Sequence, residues 1–367
     1  MRGKPPVGNS LMSSNSPAEV RAAATAGEVS LISGRETNAM PQARSWRNAL
    51  VFCAGFIACG CAAACISALL ARICPEQWKS VLWILGLASH WQWLYLTVGS
   101  AAAIAWLASG RLSAVLPLAI LAFAWSLHSP SAPYAENGAS NSSTASPRLT
   151  IASANLNFGN PNLSALRRWL LEPHGPDIVA LEEFTDAAQR VVSDNEIRKR
   201  YPYQFFAAAN GPFGIAILSR HPFIRTERVP LSDEWQTPRL RAVIAWNGES
   251  VAVSAVHPMP PWNARYAVAR DVALREEAQW LGAFNGHGIL AGDLNDTPWS
   301  TGMHGVEGKL RRASGLAPTW PNVGGWLSVL PIDHVLVTSG WRRLSAKVGP
   351  DIGSDHRPVV VELNISP

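Results

Sequence analysis

The chain has 367 residues, enough for one large domain or two ordinary ones, and is 48% hydrophobic with 16% charged residues, against about a quarter charged in an average soluble protein. Its formal net charge of +5 lies wholly in the N-terminal part: residues 1–148 carry ten Lys and Arg against five Asp and Glu, whereas residues 149–367 carry 21 of each. The neutral C-terminal part excludes a globally basic nucleic-acid-binding domain and leaves only a local patch open; having no cysteine, it also excludes a disulfide scaffold and a Cys-ligated zinc site.

Residues 1–46 are rich in Ser, Ala, Pro and Gly without a sustained apolar period, and read as a disordered tail. The tail is too long, and its apolar content too scattered, for a cleaved signal peptide. From Asn48 to Ala71 no residue is charged, with Arg47 and Arg72 as brackets; a run of about 20 apolar residues spans a bilayer as a helix, so a transmembrane helix is predicted over 48–71. All five cysteines lie in or beside this run, where they read as small packed or lipid-facing side chains. A second uncharged run extends from Ser80 to Gly110. Its early part holds His90, Gln92, Trp83, Trp91, Trp93 and Tyr95, which suit the membrane interface, so the span is placed at 91–108. The third run, 112–127, is shorter and contains Pro117; it is a third span or an interfacial helix. The membrane region is thus 47–128, with a lipid bilayer as its partner. Residues 129–147, "SPSAPYAENGASNSSTASP", form a flexible linker.

From residue 148 the pattern is globular. "RLTIASANLNF" and "DIVALEEF" are strand-like, while "NLSALRRWLLEP" and "DAAQRVVSDNEIRKR" are helical. "FGIAILSR" is a strand. "RLRAVIAWNGESVAVSAVH" is two apolar runs around Asn247-Gly248, a hairpin signature. A long helix, "NARYAVARDVALREEAQWLGAF", precedes three more strands in "GILAGDLND", "IDHVLV" and "RPVVVEL". Helices interleaved with hairpin-linked strands predict a layered α/β or α+β domain over 148–367.

Nearly every one of these strands begins or ends in a carboxylate, carboxamide or imidazole. The set comprises Asn155 and Asn157, Glu182 and Glu183, His257, Asp293 with Asn295 and Asp296, Asp333 with His334, and Asp355 with His356 and Arg357. Buried charges are costly unless paired or bound to metal, so these groups are expected to converge on one site. An oxygen-rich set suits Mg2+ or Mn2+. Such an ion beside Asp and His suits hydrolysis of a phosphate ester.

In these motifs the chain resembles the endonuclease/exonuclease/phosphatase superfamily, the metal-dependent phosphoesterases related to DNase I, exonuclease III and neutral sphingomyelinase. "SANLNFGN", "DIVALEE", "GIAILSRHP", "SAVHPMPP", "AGDLNDTPWS", "PIDHVLV" and "GSDHRPVVVEL" follow the family's order between Arg148 and Leu363. The apolar segments ahead of them make the chain similar to a membrane-anchored bacterial branch. The resemblance implies an α/β (α+β) four-layer sandwich, two packed β-sheets flanked by helices, preceded by about three transmembrane helices. It implies Glu183 and Asn155 as metal ligands with Asp355 close by, and Asp293 as the residue that positions or activates water. It also implies Asn295 and His257 as phosphate contacts, His257 in proton transfer too, and His356 as the catalytic histidine oriented by Asp333. Glu182 stands where the family commonly has Gln, and would tighten metal binding or face solvent. His334 is expected to be structural and Arg357 to form a salt bridge.

The expected function is a membrane-anchored, Mg2+- or Mn2+-dependent hydrolase of a phosphodiester or phosphomonoester. The alternatives are a catalytically silent binding or scaffold module, or specifically a nuclease or a sphingomyelinase-like lipid phosphodiesterase. Arg44 and Arg47 place the N-terminus in the cytoplasm, although Arg72 and Lys79 oppose this. Three spans then put the catalytic domain on the periplasmic face of a bacterial inner membrane; two spans leave it cytoplasmic.

Overall fold

The computed structural model describes residues 39–73, 77–128, 147–231, 236–306, 308–323 and 328–365. The expected tail up to residue 38, and the expected linker except Pro147, lie outside the described residues. The uncharged N-terminal runs fold as helices: α1 (Ala39–Ile73), α2 (Lys79–Ser89), α3 (Gln92–Ala108) and, after a single 3-10 turn, α4 (Val115–His128). Among the described helices, α1 holds a stretch long and apolar enough to cross a membrane, Ser45–Ser67. The runs expected as second and third spans form helices of 17 and 14 residues. Small side chains fill the contact between α1, α3 and α4, including Ala58, Ala62, Cys65, Ala103 and Ala124. Large apolar ones, Leu50, Phe52, Phe56, Ile104, Leu116 and Phe123, are exposed. That arrangement inverts the pattern of a water-soluble bundle.

Two six-stranded sheets follow. The strands are β1 (Leu149–Asn155), β2 (Ile178–Glu182), β3 (Tyr203–Ala207), β4 (Ile215–Ser219), β5 (Phe223–Arg228), β6 (Arg239–Trp246), β7 (Glu249–Val256), β8 (His287–Asp293), β9 (Arg311–Arg312), β10 (Asp333–Val337), β11 (Trp341–Val348) and β12 (Val359–Ile365). The first sheet has the order β11-β12-β1-β2-β4-β3 and the second β5-β6-β7-β8-β10-β9. Only β1–β2 and β7–β8 pair in parallel among the described strands; each of these joins needs a crossover helix. Alternation along the strands puts Leu149, Ile151, Ile178 and Ala180 of one sheet against Val251, Val253, Ile289, Ala291 and Val335 of the other.

The outer faces are covered by helices. Over the first sheet lie α5 (Ser164–Leu170), α6 (Asp186–Val192) and α7 (Asn195–Arg200), through Leu166, Trp169, Val192 and Ile197. Over the second lie α8 (Ala264–Ala283) and α9 (Thr301–His304), through Leu274, Ala278, Leu281 and Met303. The four-layer sandwich expected from the sequence is the observed architecture. Asn247 and Gly248 both have positive φ, 51° and 83°, as the predicted hairpin requires. One predicted helix is two: the Asp194 side chain accepts from the Glu196 N–H and starts α7 afresh after α6.

Candidate active site

The same alternation aims the polar strand ends at one place. Ser153 and Asn155 continue the inter-sheet face of Ile151, and Glu182 continues that of Ala180. On the facing sheet Asp293 and Asp333 continue the rows of Ala291 and Val335, and they pair directly across the ladder. A Cβ at Gly292 would lie 1.8 Å from the Val256 carbonyl oxygen, so glycine before Asp293 is what lets β8 close on β7.

Alternation by itself would turn Glu183 away from this face. Its φ of 54° brings it back, a left-handed conformation that costs about 1–2 kcal/mol outside glycine. Its Oε1 accepts from Asn155 Nδ2 at 3.2 Å and its Oε2 from the Phe158 N–H at 2.8 Å. Asn155 Nδ2 also donates to Asp293 Oδ2 at 3.0 Å, so one carboxamide bridges carboxylates of both sheets. Asn295, with φ of 49°, donates its N–H to Asp293 Oδ1 at 2.9 Å and its Nδ2 to the Pro258 carbonyl at 3.0 Å. That ties the loop after β8 to the loop after β7.

Two imidazoles close the cluster. His257 Nε2 is 3.5 Å from Asp293 Oδ2. His356 Nδ1 is 3.0 Å from Asp333 Oδ2, and its Nε2 is 3.7 Å from Asp293 Oδ2. Burial by itself would lower the His356 imidazole, but Asp333 and Asp293 more than offset this, and its pKa is pushed up to about 10. Burial likewise opposes ionisation of Asp293, yet His356, His257 and the Asn295 N–H hold its carboxyl well below the usual range.

Asn155, Glu183, His257, Asp293, Asn295, Asp333 and His356 therefore meet at one end of the sandwich. Asp355 stands apart from their hydrogen bonds: it is exposed, and its Oδ2 accepts from Trp320 Nε1 at 3.4 Å. Glu182 does not face solvent. It is fully buried with the Ser153 hydroxyl 3.3 Å from each oxygen, and burial reinforced by Asp333 and Asp293 pushes its pKa well above the ordinary value. His334 is structural, between the Asp296 carbonyl at 3.0 Å and Ser314 at 3.3 Å. Arg357 donates to the Gly349 carbonyl rather than forming the expected ion pair.

The sequence reading missed Arg270. It is buried on α8, donates to the Asn295 carbonyl at 3.0 Å and pairs with Asp296 at 3.0 Å. The signal was present: Arg270 and Glu277 are charged residues on the buried stripe of Ala269, Ala273, Leu274, Ala278 and Leu281.

The donors fit a hard divalent cation. They are the carboxylate oxygens of Glu183 and Asp293, both reached by the Asn155 carboxamide. Ligand atoms of Asp293, Asp333 and His356 also lie within 4.8 Å of one another, but there the Asp333 contact already engages the His356 ring. Asp333 Oδ1 is buried with no hydrogen-bond partner among the described residues.

The model of the Endonuclease/Exonuclease/phosphatase family matches residues 152–356. The chain belongs to this family. No curated protein sequence matches it significantly. Among solved structures, an endonuclease/exonuclease/phosphatase from Bacteroides vulgatus is similar with a TM-score of 0.50 at 15% identity, covering 60% of this chain and 100% of that one. A humanised D. rerio TDP2 aligns at 20% identity with a TM-score of 0.49, covering 59% and 99%. Sphingomyelinase C from Streptomyces griseocarneus aligns at 21% with a TM-score of 0.46, covering 59% and 99%. Members of the endonuclease/exonuclease/phosphatase family are generally phosphoester hydrolases that use divalent metals.

Proposed function

We propose that the chain is a divalent-metal-dependent phosphoesterase held at a membrane by its N-terminal helices. The observation that carries this reading is the convergence of Asn155, Glu183, His257, Asp293, Asn295, Asp333 and His356 from two sheets onto one cluster. Glu183 and Asp293, joined through the Asn155 carboxamide, would hold Mg2+ or Mn2+, with Asp355 at the edge of the site adding negative charge. When bound, the ion supplies charge neutralisation at the phosphoryl oxygens. Asp293, kept ionised, accepts a hydrogen bond from the attacking water and orients it toward phosphorus. His356 turns its protonated Nε2 into the site and gives that proton to the departing oxygen. Asp333 holds the opposite nitrogen and so fixes the ring's orientation. His257 and Asn295 bind the phosphoryl oxygens.

Exposed Phe158, whose N–H binds Glu183, and Phe213, next to the Pro212 carbonyl at His257 Nδ1, adjoin these contacts. With the neutral charge of residues 149–367 and the apolar outer face of α1, they support an ester with an apolar part, presented at a bilayer. The test uses the full chain in detergent on bis(p-nitrophenyl) phosphate, an oligonucleotide and phospholipid vesicles, with and without EDTA. Hydrolysis is expected to vanish in EDTA and return with Mg2+ or Mn2+, with the vesicle substrate turned over best. Full activity in chelator removes the metal from the reading. Turnover of the oligonucleotide alone makes the chain a nuclease, and no turnover of any substrate leaves a silent binding module.

A further inference from the structure

The turn between α2 and α3 carries His90, an imidazole inside the uncharged run of residues 80–110. A polar ring in such a run needs a partner, and the structure supplies one from the opposite end of the chain. His90 is 7% exposed, with Nδ1 3.1 Å from Thr297 Oγ1 and 3.7 Å from Asp296 Oδ1. Thr297 and Asp296 directly follow Asn295 in the loop that begins at Asp293. Asp296 is fully buried and pairs with Arg270, and Arg270 holds the Asn295 carbonyl. A Cβ at Gly302 would lie 2.4 Å from Asp296 Oδ2 and 2.5 Å from Asp271 Oδ1, so the cluster has no slack on that side.

Two indoles pin the turn on either side. Trp83 on α2 donates Nε1–H to the Pro261 carbonyl at 2.7 Å, and Trp93 on α3 donates to the Val329 carbonyl at 3.1 Å. Pro261 lies in the loop that leaves His257, and Val329 lies in the segment that enters Asp333. Interfacial tryptophans ordinarily direct their N–H groups to headgroups and water. Here both are directed to the catalytic domain. One turn of the apolar region therefore touches the three loops that position His257, Asp293 with Asn295, and Asp333.

We propose that the α2–α3 turn is part of the active-site wall, and that His90 is a positioning residue that holds the Asp293–Thr297 loop in its catalytic shape. The assignment of His90 to catalysis rests on the phosphoesterase reading above; the docking itself does not. Burial and the nearby Arg270 lower the His90 pKa to about 3, so the ring docks as a neutral hydrogen-bonding group. Without it, the buried Asp296–Arg270 pair opens to water, and the left-handed Asn295 loses the support that holds its backbone.

The test compares full-length wild type, His90→Ala, His90→Asn, Thr297→Val and the His90→Ala/Thr297→Val double variant in detergent. Hydrolysis of bis(p-nitrophenyl) phosphate and amide hydrogen exchange of residues 294–300 are both measured. His90→Ala is expected to lower kcat about tenfold, within the range that misplacing a catalytic group produces, with KM little changed. His90→Asn, which keeps a neutral hydrogen-bonding group, is expected to restore most of the loss. The double variant is expected to be no slower than the worse single one, because the two share one contact. Exchange of 294–300 should accelerate in His90→Ala and not in His90→Asn. Unchanged exchange in His90→Ala overturns the docking, whatever the activity. Accelerated exchange with unchanged kcat overturns the positioning role. If wild type hydrolyses nothing while exchange responds as expected, the phosphoesterase reading and the catalytic role of His90 both fail, and the docking stands.

Discussion

His356 and Asp333 show how a single pair is set by its surroundings. Their 3.0 Å contact uses Nδ1, so the free Nε2 points at Asp293. Replacing His356 by Ala is expected to lower kcat by about 10²–10⁴, the scale of positioned acid–base catalysis. Asp333→Asn is expected to cost less, since orientation is only partly lost, and steady-state kinetics on folded variants check both. His334, the next residue on β10, does the opposite work. Burial, with Arg312 nearby, lowers its pKa from 6.5 to about 4, although the Asp296 carbonyl and Asp293 pull the other way. The unfolded chain then binds this proton more readily than the folded one. Stability is full above about pH 6.5 and falls as pH drops toward 4. His334→Gln is expected to flatten that limb of the stability–pH profile measured by denaturant titration. His90 contributes to the same limb and also touches Asp296, so the comparison is repeated in a His90→Asn background, where the remaining difference belongs to His334. An identical slope in both proteins would remove His334 from the acid transition.

At the scale of elements, α8 binds the second sheet by charge as well as by apolar packing. Glu277, fully buried, accepts from Arg239 at 2.9 Å, Arg241 Nε at 2.8 Å and the Ser254 hydroxyl at 2.9 Å. Arg239 is itself only 1% exposed. Removing the only partner of a buried charge costs about 3–5 kcal/mol; here Arg239 keeps Glu276 at 2.8 Å and Arg241 keeps Glu227 at 3.5 Å, which offsets part of that loss. Glu277→Ala is therefore expected to lower the chemical-denaturation midpoint of the C-terminal domain, by less than a buried charge left wholly unpaired would, with Glu277→Gln milder because it keeps a hydrogen-bond acceptor. A loss under about 1 kcal/mol would place the Arg239 guanidinium in water rather than in the interior. In the apolar region the logic reverses: α1, α3 and α4 hide alanines and expose Phe52, Phe56 and Phe123. Van der Waals contact between small residues holds helices together where lipid already satisfies the large ones.

At the scale of the whole molecule, the helices and the C-terminal domain meet beside the candidate site. Trp83 and Trp93 join them next to the loops of the site. Topology then decides which compartment the site serves. With the N-terminus in the cytoplasm and three spans, an alkaline-phosphatase fusion after Pro147 is expected to be active and a GFP fusion dark. The reverse pattern would mean an even number of crossings, with one of the short helices α3 and α4 lying along the surface.

The sequence alone made the family and most of the site legible. Motifs such as "GDLND" and "GSDH" place the candidate site groups at strand ends, and a strand end on one face needs only period-two alternation to predict where its side chain goes. Asn155, Asp293 and Asp333 follow that rule. Glu183 does not, because its left-handed backbone overrides the alternation, and no local pattern announces a positive φ at a glutamate. Glu182 left two readings open in the sequence, a tighter metal site or a solvent-facing carboxylate; alternation sends it into the interior, where burial and the nearby Asp333 and Asp293 push its pKa up against the Ser153 hydrogen bond. The edge strands β3, β5, β9 and β11 were not foreseen, since β5 and β11 carry many exposed polar residues and take their form from a neighbouring strand. Arg270 was marked in the sequence as a charge on the buried stripe of α8, but what it holds across the fold, like what His90 and the two indoles hold, belongs to tertiary structure alone. Their partners lie from 25 to 236 residues away in the chain, and a contact at that separation is chosen by how packed layers meet, which no stretch of sequence contains.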